Sequence, residues 1–202
     1  MASRALMAVA TLMLMTMLGG CASPDIQQPR NETAMPRLNS DHFIAHDGSS
    51  MPLRRWMPED QNPTAVIIAV HGFNDYSNFF DGPGSFLTSR GVATYAFDQR
   101  GFGATPEAGI WPGVAALTQD LETIIALVRV RHPDTPLYLF GESMGGAVVM
   151  VALKKARDLN QTLNIDGAIL SAPAVWGRET MPWYQTTALW LSSHIMPRAK
   201  LT

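Results

Sequence analysis

Between Pro63 and Pro173, short unbroken apolar runs alternate with longer stretches in which apolar residues recur every three or four positions. The runs are Ala65–Val70, Val92–Phe97, Leu137–Phe140 and Ala168–Leu170. A strand buried on both faces reads this way, without polar alternation. The intervening stretches, Ser77–Ser89, Val114–Arg131 and Met144–Leu159, predict helices. In the second of these, Leu117, Leu121, Ile124, Ile125 and Val128 form a single apolar stripe. Strand and helix in strict alternation predict an α/β fold, with a mostly parallel sheet covered by helices on both faces. Ahead of it, His42–Ala45 and Leu53–Trp56 flank the turn residues Asp47, Gly48, Ser49 and Ser50, which predicts a starting hairpin.

The first 20 residues follow another pattern. Arg4 precedes an apolar run from Ala5 to Leu18, with small residues before Cys21, which reads as an export signal over 1–20. Its length is short against the roughly 20 residues that cross a bilayer. The order Leu18-Gly19-Gly20-Cys21 resembles the lipobox of bacterial lipoproteins. That resemblance implies cleavage before Cys21, lipidation of its thiol and a place in the bacterial cell envelope. Ala22 in the following position implies the outer membrane. A cleaved signal in which Cys21 is incidental is the alternative. From 21 to 41 the chain is polar and carries three prolines, so it is expected to be a flexible tether.

Composition narrows the function. A net charge of −2 and no Lys/Arg run give nothing to neutralise a phosphate backbone, so no nucleic-acid partner is expected. One cysteine excludes an internal disulfide or a cysteine-only metal cage. The twelve methionines are accounted for by the export segment and core filling, and no metal or cofactor is expected.

The chemistry concentrates in Gly141-Glu142-Ser143-Met144-Gly145-Gly146, which follows a buried strand and opens a helix. A serine on so sharp a turn is held in a strained conformation that works only where its neighbours lack side chains. Gly141, Gly145 and Gly146 meet that need, and Ser143 is the candidate nucleophile. After the strand ending at Val70 come His71-Gly72-Phe73-Asn74-Asp75, where a loop can aim a backbone N–H at an oxyanion. The N–H groups of Phe73 and Met144 are the candidate donors. His71 reads as a brace for its loop rather than as a base. Asp98 reads as a brace in a turn with Arg100 rather than as a triad acid.

These motifs, with Asp98-Gln99-Arg100-Gly101-Phe102-Gly103 and Leu170-Ser171-Ala172-Pro173 each following a strand, resemble the α/β-hydrolase superfamily. The closer resemblance is to its monoacylglycerol lipase, lysophospholipase and serine aminopeptidase-like branch. It implies hydrolysis of acyl esters, lipid-like ones included, through an acyl-enzyme. It implies too that an acid and then a histidine follow the serine. Downstream of Ser143 stand Asp158, Asp166, Glu179 and His194, none in the place the pattern requires. The triad acid and base are therefore expected to be missing from the chain. It would stop inside the cap, about 80 to 100 residues short of a complete domain. The resulting domains are a core over 42–175, with its late strands absent, and the start of a cap over 176–202. In that cap Trp183–Ile195 is expected to form a helix with apolar residues on two faces. The strand at Ala168–Leu170 would be left at an uncovered edge. A non-catalytic binding lipoprotein on the same fold, or an acyltransferase, would share every motif.

Overall fold

A computed structural model describes residues 25–28, 30, 33–60, 62–177 and 179–196. The export signal and Cys21 lie outside the described residues. Ile26–Val175 form one compact unit, and the described residues from Trp176 onward belong to another.

The strands are β1 (Arg37–Leu38), β2 (His42–Ile44), β3 (Ser50–Trp56), β4 (Ala65–Val70), β5 (Val92–Phe97), β6 (Leu137–Glu142) and β7 (Gly167–Ser171). They form one sheet in the order β1-β2-β3-β5-β4-β6-β7. From β5 to β7 neighbouring strands are parallel, and β1, β2 and β3 add an antiparallel wing on the β5 side. The chain leaves β4 for β5 on one side and later returns to β6 on the other. This places a topological switch point at β4, where α/β sheets open a crevice beyond their carboxyl ends.

The unbroken apolar runs have a direct cause, since the two faces of β4 feed two separate clusters. Val66, Ile68 and Val70 pack with Leu117, Leu121, Ile124, Ile125 and Val128 of helix α2 (Val114–Arg131) and with Val148, Val149 and Ala152 of helix α3 (Met144–Asp158). Ile67 and Ala69 face the other way, into Phe80 and Ala96. That second face is covered by a 3-10 turn, Ser77–Phe80, and helix α1 (Asp81–Thr88). The single helix expected over Ser77–Ser89 is thus two pieces. The interruption falls where Gly82, Pro83 and Gly84 begin the α-helical part, and Gly84 lies against Trp56, leaving no space for a Cβ.

The tether expected over 21–41 does not hold to its end, and the core begins at Ile26 rather than at 42. Arg37 and Leu38 pair with Ile44 and Phe43 as strand β1. Ile26 bridges to Trp111, and the buried Gln27 donates from Nε2 to the carbonyls of Glu107 (3.0 Å) and Ile110 (3.0 Å). The segment carries few apolar residues, so the backbone and amide bonds that pin it leave no hydrophobic period to read.

At the far edge, Ile169 and Leu170 of β7 remain 49% and 39% exposed. In the other unit, helix α4 (Trp183–Ile195) forms as expected, and none of its residues is buried.

Candidate active site

One residue, Ser143, separates β6 from α3, and its φ of 47° and ψ of −114° lie where side-chain-bearing residues rarely go. Such a conformation costs of order 1–3 kcal/mol and persists only when its surroundings over-determine it. Here they do. A methyl built on Gly145 would overlap the Val70 carbonyl, one on Gly141 would lie 2.7 Å from Gly146 Cα, and one on Gly146 would lie 2.9 Å from Pro173 Cβ. The strand and helix can meet this closely only because all three positions are bare. The Ser143 N–H donates to the Ser171 carbonyl at 2.9 Å, and its own carbonyl accepts from Ala147 N–H at 3.2 Å and Ala174 N–H at 2.9 Å. The loop after β7 therefore clamps the bend. Ser143 itself is half-buried, and its Oγ has no hydrogen-bond partner among the described residues.

Across the β4–β6 pair Val70 faces Gly141, so the loop that follows β4 runs beside the bend. A methyl on Gly72 would sit 3.3 Å from Ser143 Cβ, which shows how closely the loop approaches the bend. Phe73 comes next, 65% exposed, its ring edge-on to Phe102. Its N–H and that of Met144, the first residue of α3, have no acceptor among the described residues. The helix terminus adds partial positive charge at the same place.

His71 is fully buried, and both ring nitrogens are engaged. Nδ1 lies 2.8 Å from the Gly72 carbonyl, which can only accept, while Nε2 lies 2.9 Å from the Gln99 N–H, which can only donate. This fixes a neutral imidazole protonated on Nδ1, and burial accordingly pushes its pKa down. A ring so committed braces the loop and has no lone pair free for a proton from Ser143. Asp98 is also a brace, accepting from Ser77 N–H and Ala104 N–H, each at 2.9 Å. Arg100, in the same turn, is engaged elsewhere. The guanidinium instead joins Asp47 and the buried Asp120, with both Nε–Oδ2 and Nη2–Oδ1 at 2.9 Å for Asp120. Burial acts to raise the Asp47 carboxyl, but hydrogen bonds from Arg100 and Ser49 outweigh it and hold it at about 2. This ion cluster lines a cavity of about 450 Å³ with Gln27, His46 and Gln119, away from the bend.

Two of the downstream acids, Asp158 and Asp166, are engaged away from Ser143. Asp166 accepts from Leu137 N–H at 2.8 Å and Arg129 Nη2 at 2.9 Å, and Asp158 pairs with Lys154 and Arg157. His194 Nδ1 lies 2.7 Å from the Trp190 carbonyl. Within Ile26–Val175, His42 pairs with Asp41 at 3.2 Å and His132 with the Tyr95 hydroxyl at 2.8 Å. None of the four histidines of that unit bonds to Ser143.

Residues 61–202 match the family model described as serine aminopeptidase, S33. The chain belongs to this family of α/β-hydrolases. Rat monoglyceride lipase is 24% identical over 181 residues, which cover 88% of this chain and 58% of the relative. The monoacylglycerol lipase of Mycolicibacterium smegmatis is 26% identical over 138 residues, covering 67% and 47%. Among solved structures, a soluble variant of Saccharomyces cerevisiae monoglyceride lipase with a substrate analogue superposes with a TM-score of 0.59 at 24% identity, over 88% of this chain and 57% of that one. The thermostable carboxyl esterase of Bacillus coagulans gives 0.56 at 24% identity, over 64% and 42%. The chain spans about half the length of these lipases. The S33 family's fold and the serine bend are thus both present in Ile26–Val175.

Proposed function

We propose that the protein is a serine hydrolase of acyl esters in which Ser143 carries the acyl group. The observation behind this is the bend itself, which holds a half-buried hydroxyl without a partner beside two N–H groups without acceptors. Ser143 Oγ attacks the ester carbonyl carbon, and the negative oxygen that forms is received by the Phe73 and Met144 N–H groups. Each such donor is worth about 2.7–4 kcal/mol in the transition state. The leaving oxygen takes up the proton given up by Ser143 and departs as the alcohol. Water then attacks the acyl-serine, one of its protons restoring the Ser143 hydroxyl as the acid is released. The proton from Ser143 goes to a base other than the four histidines of Ile26–Val175. Names of relatives such as monoglyceride lipase support a lipid-like ester as substrate. The sequence Leu18-Gly19-Gly20-Cys21 supports a lipid anchor at Cys21, and Ala22 after it supports a place on the bacterial outer membrane.

Two experiments test this reading. In protein purified from the cells that make it, Ser143→Ala should lower turnover of a chromogenic acyl ester by up to about 10⁶-fold. Unchanged turnover would reject the nucleophile. Labelled palmitate fed to the same cells should appear on the protein and be absent from Cys21→Ala, and equal labelling of the two would reject the anchor.

A further inference from the structure

Glu142, the last residue of β6, stands next to Ser143. Its half-buried carboxylate has no hydrogen bond or ion pair among the described residues. Across β7 its neighbour is Ser171, which brings no positive charge. The carboxylate and the serine share one side of Gly72, where a methyl would overlap Glu142 Oε2 and touch Ser143 Cβ at 3.3 Å. Burial, and after it the charge of Asp75 from the loop following β4, push the Glu142 carboxyl above its ordinary pKa. An unpaired carboxylate repelled by a second one is unfavourable for folding, and a glutamine in the same space would relieve it.

We propose that Glu142 is a specificity-determining residue, whose carboxylate beside Ser143 favours acyl esters with a neutral, hydroxyl-bearing or cationic head group over esters with an anionic one. The inference rests on Ser143 as nucleophile and narrows its substrate class. To react, the ester carbon must come within about 3–3.5 Å of Oγ, which brings the first atoms of the leaving alcohol close to Glu142. A glycerol hydroxyl can donate to this carboxylate, whereas a phosphate in the same place adds a third negative charge to Glu142 and Asp75. One like-charge contact in a partly solvated site corresponds to about tenfold in rate.

The test compares a monoacylglycerol with the lysophosphatidic acid of the same acyl chain, using protein purified from the producing cells. The wild type should show at least about tenfold higher kcat/KM on the neutral ester. Glu142→Gln should shrink that ratio at least about threefold, and Asp75→Asn should shrink it as well. Raising the salt from about 0.05 to about 0.5 M should also narrow the wild-type ratio, an arm that needs no variant to fold. Ratios that are equal in wild type and Glu142→Gln, or that do not respond to salt, overturn the proposal. A neutral fluorophosphonate applied in parallel separates the causes. Labelling at Ser143 with unchanged selectivity rejects Glu142 alone, and no labelling at Ser143 rejects the nucleophile and this inference with it.

Discussion

At Gly145 the first turn of α3 touches the carbonyls of Val70 and His71, and a single methyl group tests how tightly that bend is built. Gly145→Ala should destabilise the unit by about 3 kcal/mol, because backbone rather than a movable side chain stands in the way. Gly82→Ala, in helix α1 with nothing within 4 Å of the new methyl, should instead add about 0.5–1 kcal/mol. Thermal melts of the two variants check the contrast. Glu142 offers a second test. Its folded pKa is raised, so its ionised form opposes folding at neutral pH. Glu142→Gln should therefore melt at or above the wild type at pH 7, and a lower melting temperature would mean that the carboxylate has a structural partner. His71 and His132 shift the other way, both pushed down first by burial. Their contribution is present above the unfolded pKa near 6.5 and is lost as the pH falls below it. The melting temperature should decline from about pH 6.5 downward, before Asp47, held at about 2, begins to protonate. At this scale the glycines and Ser143 were legible, because a strained turn demands specific residue types. The roles of Glu142 and Arg100 were not, because a carboxylate's partners come from distant parts of the chain.

Among the elements, the parallel strands were readable because both of their faces are buried, and α2 because its stripe packs on one of them. Strand β1 was hidden, being two residues long and held by backbone bonds. The same region is pinned from within by Arg100, whose carboxylate partners sit in the 45–50 turn and on α2. Arg100→Met should cost about 3–5 kcal/mol, since it leaves two carboxylates facing each other without their cation. Denaturant unfolding measures this, and a loss under about 1 kcal/mol would show the cluster to be solvated instead. Strand β7 was expected at an uncovered edge, and its exposed Ile169 and Leu170 agree. Its amides should exchange with solvent at least about 100-fold faster than those of β4, which has partners on both sides. Equal protection in hydrogen exchange would show that something else covers that edge.

For the molecule as a whole, the sheet order brings the ends of β4 and β6 together at the switch point, so the Gly72 loop and Ser143 meet although about 70 residues separate them in sequence. Order along the chain cannot reveal that meeting, but a family pattern can, and membership in the S33 family agrees with it. The most direct test of the account is covalent. Protein purified from the cells that make it is treated with a neutral alkyl fluorophosphonate, digested and mapped by mass spectrometry. The account predicts a single adduct on Ser143 that is absent from Ser143→Ala. An adduct on any other residue, or none on correctly folded protein, would contradict it.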